Sequence, residues 1–509
     1  MDAVVYQIYP RSLRDTSGDG VGDLGGVRRQ LDHLAWLGVD ALWLSPIVPS
    51  PMADHGYDVA DYCDVDPVFG TLEELDLLVA EAHERGLKLL LDWVPNHSSD
   101  AHPWFVAARS SRDDPKRDWY LWVEGSPDQA PNDWKAAFPP GPAWTWDEGT
   151  EAWYYHRYTP QQPDLNWNNP EVEAAMHDTL RFWLDRGVDG FRMDVVHQIG
   201  KDMSLVSNPD TAVDGPSDPE RNHELVRGIR TVIDAYEGDR VAVGEAYILD
   251  VAQVARYVDP AARELHLSFN FLPLWFPWTA AEWRKHLDEV LRVYGDLGAW
   301  PTWVLGSHDI PRIRTRLGRD DAARSAAVLL LTLRGTVFLY AGDELGLQDA
   351  VVPPELVQDP AAFRDGCRAP IPWEPGPDHG WTSATPWLPW PPEADERNAA
   401  VLRDDPASIL YLVRRTLAAR KASPALREGA MALLPEGTGA GATDVVAWER
   451  TAGDDRRVVV VSFVAEPRGW DAPEGSGWVV EVSSATEERE GKPFDGLLES
   501  HEAVVLRPG

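Results

Sequence analysis

Leu87-Lys88-Leu89-Leu90-Leu91-Asp92-Trp93 is a short apolar run that ends in a carboxylate. It follows Leu72 to Arg85, where Leu75, Leu78, Val79 and Ala82 fall at helical spacing and Gly86 stands as the stop. The same helix-then-strand unit recurs in both directions. Val4-Val5-Tyr6-Gln7-Ile8-Tyr9 reads as a buried strand, and a helix near Val27 to Leu37 breaks at Gly38 before the strand Ala41-Leu42-Trp43-Leu44-Ser45. Downstream, Asn169-Pro170 starts a helix over Val172 to Leu184, which Gly187 stops before the strand Gly190 to Val196. Further strands are expected at Val241 to Val243, Leu265 to Phe269, Thr302 to Leu305 and Val337 to Tyr340. Eight strands alternating with helices predict an α/β fold, a parallel sheet closed into a (β/α)8 TIM barrel.

Two regions break the alternation. Asn96 to Pro163 is long, rich in Trp, Pro and Asp, and poor in helical periodicity; a structureless loop of that size is improbable, so a small domain inserted after strand 3 is expected. After about Leu426 short β-runs take over, at Val445 to Trp448, Val458 to Phe463, Trp478 to Val482 and Ala503 to Leu506, which is the pattern of an all-β sandwich. The expected domains are a barrel over 1–97 and 164–425, an insert over 98–163, and a C-terminal sandwich over 426–509.

Composition narrows the function. The 509 residues carry 47 Lys and Arg against 83 Asp and Glu, a net charge of −36 that repels phosphate backbones and anionic lipid. Neither nucleic acid nor a membrane is therefore an expected partner. No run approaches the roughly 18 apolar residues of a spanning helix, and Met1-Asp2-Ala3-Val4 has no charged start before a long apolar stretch. A cytoplasmic monomer or homodimer is the expectation. The two cysteines, Cys63 and Cys367, are too few for a disulfide framework and are expected to be reduced. The 24 tryptophans supply flat apolar faces that suit sugar rings, although core packing also uses them.

In a (β/α)8 barrel the loops after the strands converge on one site. Strand 3 ends in Asp92-Trp93-Val94-Pro95-Asn96-His97, strand 4 in Gly190-Phe191-Arg192-Met193-Asp194, strand 5 in Gly244-Glu245-Ala246, and strand 7 is followed by Ser307-His308-Asp309. One Asp at a strand end is usually a cap; carboxylates at the ends of several strands, with two histidines and an arginine, are costly to bury without purpose. These four segments, in this order, resemble the signatures of the α-amylase superfamily, glycoside hydrolase family 13. Tyr6 to Ser12 and Arg364-Asp365-Gly366-Cys367-Arg368 extend the resemblance, and Gln162-Pro163-Asp164-Leu165-Asn166 resembles the segment marking its α-glucosidase and oligo-1,6-glucosidase branch. Ser307 departs from the family's usual Asn.

The resemblance implies a retaining mechanism in which Asp194 is the nucleophile, Glu245 the general acid and base, and Asp309 the carboxylate that grips sugar hydroxyls. Arg192, two residues before Asp194 on one strand face, would hold Asp194 ionised. His97 and His308 resemble hydroxyl-binding histidines. In Asp54-His55-Gly56-Tyr57-Asp58, Asp54 would bind the non-reducing end and Tyr57 would stack on the ring, with Arg368 pairing to Asp54 to block the far end.

Small α-glucosides are the implied partners. No cofactor is needed for the chemistry, but relatives hold a structural Ca2+ or Mg2+ in a loop like Asp15-Thr16-Ser17-Gly18-Asp19-Gly20-Val21-Gly22-Asp23, with Asp15, Ser17, Asp19, Val21 and Asp23 as ligands. The alternative for that loop is a plain acidic turn. For the activity, the alternatives are an oligo-1,6-glucosidase, a glucosyl transferase or isomerase sharing the same carboxylates, and a non-catalytic amylase-like module. Val195, which follows the nucleophile, often accompanies α-1,6 action; the family base rate favours α-1,4 linkages, with isomaltose secondary.

Overall fold

A computed structural model describes residues 2–138, 141–205, 219–382, 385–436, 442–473 and 477–509. Eight parallel strands form the central sheet: β1 (Val4–Ile8), β2 (Ala41–Leu44), β3 (Lys88–Trp93), β4 (Gly190–Met193), β5 (Val241–Gly244), β6 (Leu267–Ser268), β7 (Thr302–Val304) and β8 (Thr336–Tyr340). From β1 to β6 each strand pairs with its sequence neighbour, β7 pairs with β8, and β8 returns to β1 with Val4 opposite Val337. Between β6 and β7 a side chain completes the ring: the Thr302 hydroxyl donates to the Ser268 carbonyl at 2.7 Å and accepts from the Asn270 amide at 3.1 Å. The expected α/β (β/α)8 barrel is the observed one.

Alternation along the strands separates two cores. Val5, Trp43, Leu90, Val243, Val304 and Phe338 point inward and fill the barrel. Their neighbours Tyr6, Leu44, Leu89, Leu91, Phe191 and Leu339 point outward beneath the helices. Register aligns the next inward position of adjacent strands, Asp92 opposite Arg192 and Arg192 opposite Val243. The strands pack closely at Gly190, where a Cβ would stand 2.0 Å from the Val241 carbonyl oxygen. The upper inward layer is thus polar, with Gln7, Asp92 and Arg192 above the apolar plug.

The helices start where side-chain caps satisfy their first amides. Asp23 caps Leu24–Leu37, Thr71 and Glu74 form a reciprocal capping box on Leu72–Glu84, and Asn169 caps Pro170–Asp185. Two of these helices begin ahead of the expected residue, at Leu24 before Val27 and at Pro170 before Val172, because the cap, not the hydrophobic pattern, sets the start. Strand β4 is shorter than expected, ending at Met193, because Val195 adopts φ 35° and ψ 41°. A β-branched residue in the left-handed region is strained, and it turns the chain sharply after Asp194.

The excursion after β3 holds the helix Pro103–Ser110 and a three-stranded antiparallel sheet of Trp122–Glu124, Ala152–Tyr155 and Trp144–Asp147. Its root is pinned to the barrel by bridges of His97 with Asp164 and Tyr120 with Leu165. At the C-terminal end, strands from Ala430–Leu433 to Ala503–Pro508 build a five-stranded antiparallel sheet. Val446, Trp448, Val459 and Val505 join the barrel's core, while Val445, Val458, Val460 and Val504 face away. Trp470 and Leu498, in and beside a two-stranded ribbon, cover that outer face, so the second layer of this all-β domain is small. Both cysteines are free thiols. Among the described residues no helix is long and apolar enough to cross a membrane.

Candidate active site

The Arg192 guanidinium organises the upper end of the barrel. It donates to Asp92 at 3.0 Å, to Asp194 at 2.6 Å and to Glu245 at 2.5 Å. The Val195 amide, presented by the strained turn, adds a 3.2 Å bond to the same Glu245 oxygen. Asp92 also accepts from the Trp43 indole at 3.3 Å and the Tyr57 hydroxyl at 3.1 Å. Side-chain exposure sorts the roles: Asp92 is 0% and Arg192 2% exposed, whereas Asp194, Glu245 and Asp309 are 10, 12 and 36% exposed. The last three face the opening, and the first two stand behind them.

Three carboxyls around one guanidinium cannot all ionise cheaply. Burial pushes Asp194 well above the usual carboxylate range, and the neighbouring charges of Glu245 and Asp92 add to this against the pull of Arg192. Burial likewise raises Asp92 to about 6 despite Arg192. Crowding thus favours the protonated form of Asp194 and Asp92, while Arg192 pulls both toward the ionised form. One carboxylate and one carboxylic acid held by the same guanidinium are what double-displacement glycoside cleavage requires.

Asp309 is the opposite case. Burial acts upward, but His308, Arg364 and Arg368 together hold its carboxyl well below the ordinary range. Arg364 donates to its Oδ1 at 3.1 Å and Arg368 at 3.2 Å. Ser307, the residue that departs from the family pattern, accepts the Asp309 amide on its hydroxyl at 3.1 Å and so braces the turn. His308 lies parallel to Tyr57, with ring centroids 5.6 Å apart, and its Nε2 is 2.7 Å from the Tyr57 hydroxyl. Burial pulls His308 down to about 3 and His97 to about 4, so both rings are neutral. His97 Nε2 lies 3.2 Å from the Tyr57 carbonyl and from the Gln162 amide nitrogen.

One expected pairing is corrected. Asp54 is bound not by Arg368 but by Arg364, at 2.8 Å, and by the Gln162 amide at 3.2 Å. Arg368 instead donates to the His308 carbonyl at 2.8 Å and to Asp309. The 3-10 turn Asp365–Arg368 separates the two arginines, so both reach Asp309 Oδ1 but only Arg364 extends on to Asp54. Asp359 anchors Arg364 through contacts at 2.8 and 2.6 Å. Arg364→Gln is expected to lower kcat/KM on small α-glucosides about 100-fold, since it leaves two buried carboxylates short of a donor. A loss below fivefold would remove Arg364 from the site.

The loop from Asp15 to Asp23 closes on itself. The Asp15 carboxylate accepts from the Ser17 hydroxyl, the Gly18 and Gly20 amides and the Thr382 hydroxyl. Asp23 accepts from the Thr16 amide and hydroxyl and the Ser17 and Gly26 amides. Asp19 is exposed and bonds the Val21 amide. Asp15 and Asp23 thus have about four acceptor sites each filled by protein donors, which weighs against a divalent cation there, while Asp19 has one. Among the described residues no three His, Cys, Asp or Glu side chains converge on a metal position. Burial acts upward on Asp15, yet these hydrogen bonds hold it below its ordinary range. Dialysis against a chelator is expected to leave the Tm unchanged; a fall of several degrees, reversed by Ca2+ or Mg2+, would show that a cation displaces these donors.

Comparison with known proteins gives a concordant result. Residues 7–429 match the model of the α-amylase catalytic domain. The chain belongs to the α-amylase family. It is 42% identical to a probable α-glucosidase of Rhizobium meliloti, over 84% of this chain and 83% of that protein. It is 34% identical to an oligo-1,6-glucosidase of Parageobacillus thermoglucosidasius, over 91% and 90%. Among solved structures it matches an α-glucosyl transfer enzyme at 37% identity with TM-score 0.90, covering 100% of this chain and 99% of that one. The trehalulose synthase of Pseudomonas mesoacidophila matches at 33% identity, again with TM-score 0.90 and the same coverage.

In this α-amylase-family chain the structure brings together Asp54, Tyr57, His97, Arg192, Asp194, Glu245, His308, Asp309 and Arg368. Sequence reasoning gave no role to Asp92, Gln162, Asp359 or Arg364. Asp92 could have been found by its inward parity, two residues after Leu90. Gln162 and Arg364 lay in segments already singled out, but spacing does not say which side chain faces the pocket.

Proposed function

We propose that the chain is a retaining, exo-acting α-glucosidase that releases glucose from the non-reducing end of short α-glucosides. The observation that carries this reading is the single guanidinium of Arg192 binding both Asp194 and Glu245, with Asp54 and Arg364 across the site. Asp194 attacks the anomeric carbon while Glu245 protonates the departing oxygen, and a glucosyl ester on Asp194 results. Glu245, now ionised, takes a proton from water, which cleaves the ester with net retention. Asp309 grips the ring hydroxyls more tightly as the ring flattens. The ion pair of Asp54 and Arg364 supports exo action, because a closed end admits only a terminal residue.

For linkage, we read α-1,4 bonds in short substrates as preferred, with isomaltose as a secondary substrate. Val195 replaces a hydroxyl by a methyl beside the acceptor, a change typically worth about 1–3 kcal/mol and so a preference rather than an exclusion. A panel of maltose, isomaltose, sucrose, trehalose and p-nitrophenyl α-glucoside tests both parts. The expected result is glucose release, with kcat/KM on maltose above that on isomaltose. A tenfold advantage for isomaltose would overturn the linkage reading, and no glucose from any of the five would overturn the activity.

A further inference from the structure

His308 is enclosed on all sides. Its ring lies between those of Tyr9 and Tyr57, 5.6 Å from each and within 19° and 4° of parallel, and Trp43 meets it edge-on at 6.1 Å. Each ring nitrogen has a close polar neighbour. Nδ1 lies 2.7 Å from the Gln7 amide nitrogen, and Nε2 lies 2.7 Å from the Tyr57 hydroxyl. The ring is neutral, so one nitrogen carries the hydrogen and the other a lone pair. Gln7, on β1 and 1% exposed, decides which. An amide nitrogen donates only, so Nδ1 accepts and the hydrogen sits on Nε2. Turning the amide over would put its N–H groups where Oε1 now has no hydrogen-bond partner among the described residues. Buried N–H groups without a partner are rarer than under-used carbonyls, so the amide keeps its orientation. Tyr57 agrees: its hydroxyl donates to Asp92 at 3.1 Å, which leaves the oxygen to accept from Nε2. The hydrogen bonds thus run one way, from Gln7 through His308 and Tyr57 to Asp92.

We propose that Gln7 is a positioning residue that keeps the His308 hydrogen on Nε2, so that His308 and Asp309 present one donor and one acceptor to a single substrate hydroxyl. This rests on the reading of the pocket as a glucosidase site. His308 Nε2 and Asp309 Oδ2 are 3.4 Å apart, close enough to serve the same oxygen. A hydroxyl has one hydrogen and two lone pairs. It gives the hydrogen to the Asp309 carboxylate and accepts from Nε2–H, which it shares with the Tyr57 oxygen. With the hydrogen on Nδ1, the same hydroxyl would face two acceptors and could satisfy only one. Burial keeps the ring from taking a second proton, opposed by Asp309 and aided by Arg368, Arg192 and Arg364.

The test uses the full-length protein with histidine labelled by nitrogen-15 in the ring, whose proton–nitrogen correlations show which ring nitrogen is protonated. A His308→Asn sample identifies the signal. Wild type is expected to carry the hydrogen on Nε2. Gln7→Glu puts an acceptor where the donor stood, so Nδ1 is expected to become protonated. Its kcat/KM on p-nitrophenyl α-glucoside should fall about 30-fold, against about fivefold for Gln7→Met, which removes the donor and keeps the volume. A hydrogen on Nδ1 in wild type overturns the assignment. So does a Gln7→Glu variant within twofold of wild type, or an equal loss in Gln7→Met, which would mark a packing role. The spectrum is read without turnover, so failure of wild type to cleave any α-glucoside would overturn the glucosidase reading separately.

Discussion

Asp194→Asn is expected to lose on the order of 10⁴-fold in turnover on every α-glucoside, because an amide forms no glucosyl ester. The fold should survive and gain. In the native state Asp194 is buried among Glu245 and Asp92, and its carboxyl is held above its ordinary range. A carboxyl raised in this way binds its proton more tightly when folded than when unfolded, so it costs stability as pH rises above the unfolded value. Removing it leaves Arg192 with two carboxylates, Asp92 and Glu245, at 3.0 and 2.5 Å. The Tm of Asp194→Asn at pH 8 should therefore equal or exceed that of wild type. Residual activity above a tenth would sink the nucleophile assignment, and a lower Tm would sink the account of the crowded cluster.

The second large effect is selective. Glu245→Gln keeps an oxygen to accept from Arg192 and from the Val195 amide, so the geometry is preserved while the proton is lost. Maltose, whose leaving sugar must be protonated, should be turned over on the order of 10³-fold more slowly. A substrate with an excellent leaving group needs little protonation, so its first turnover should stay within about tenfold of wild type. A burst should then appear, because the missing base slows hydrolysis of the ester. Equal losses in the first turnover of both substrates would argue against Glu245 as the acid.

Much of this site could be read without coordinates, for a definite reason. Inward and outward positions alternate along a strand, so the strand-terminal segments Asp92, Arg192-Met193-Asp194 and Glu245 carried both the barrel and its chemistry in one short pattern. The helix start at Asn169 was equally local, since its side chain satisfies an amide two residues on. What escaped was non-local. Arg364 and Arg368 stand four residues apart in one segment, and only the turn over Asp365–Arg368 decides that the first reaches Asp54, 310 positions away, while the second reaches the His308 carbonyl.

The acidic loop teaches the same distinction. Its alternating oxygens suit a cation in any sequence pattern, but the Thr382 hydroxyl, 367 positions distant, joins the local amides around Asp15. The sequence by itself determined the barrel and its order of strands, because periodicity acts over a few residues, and the resemblance of four short segments pointed to the three carboxylates. Only the tertiary structure decided which arginine closes the pocket and how three acids share one guanidinium. Those depend on charges that folding alone brings within a few ångströms.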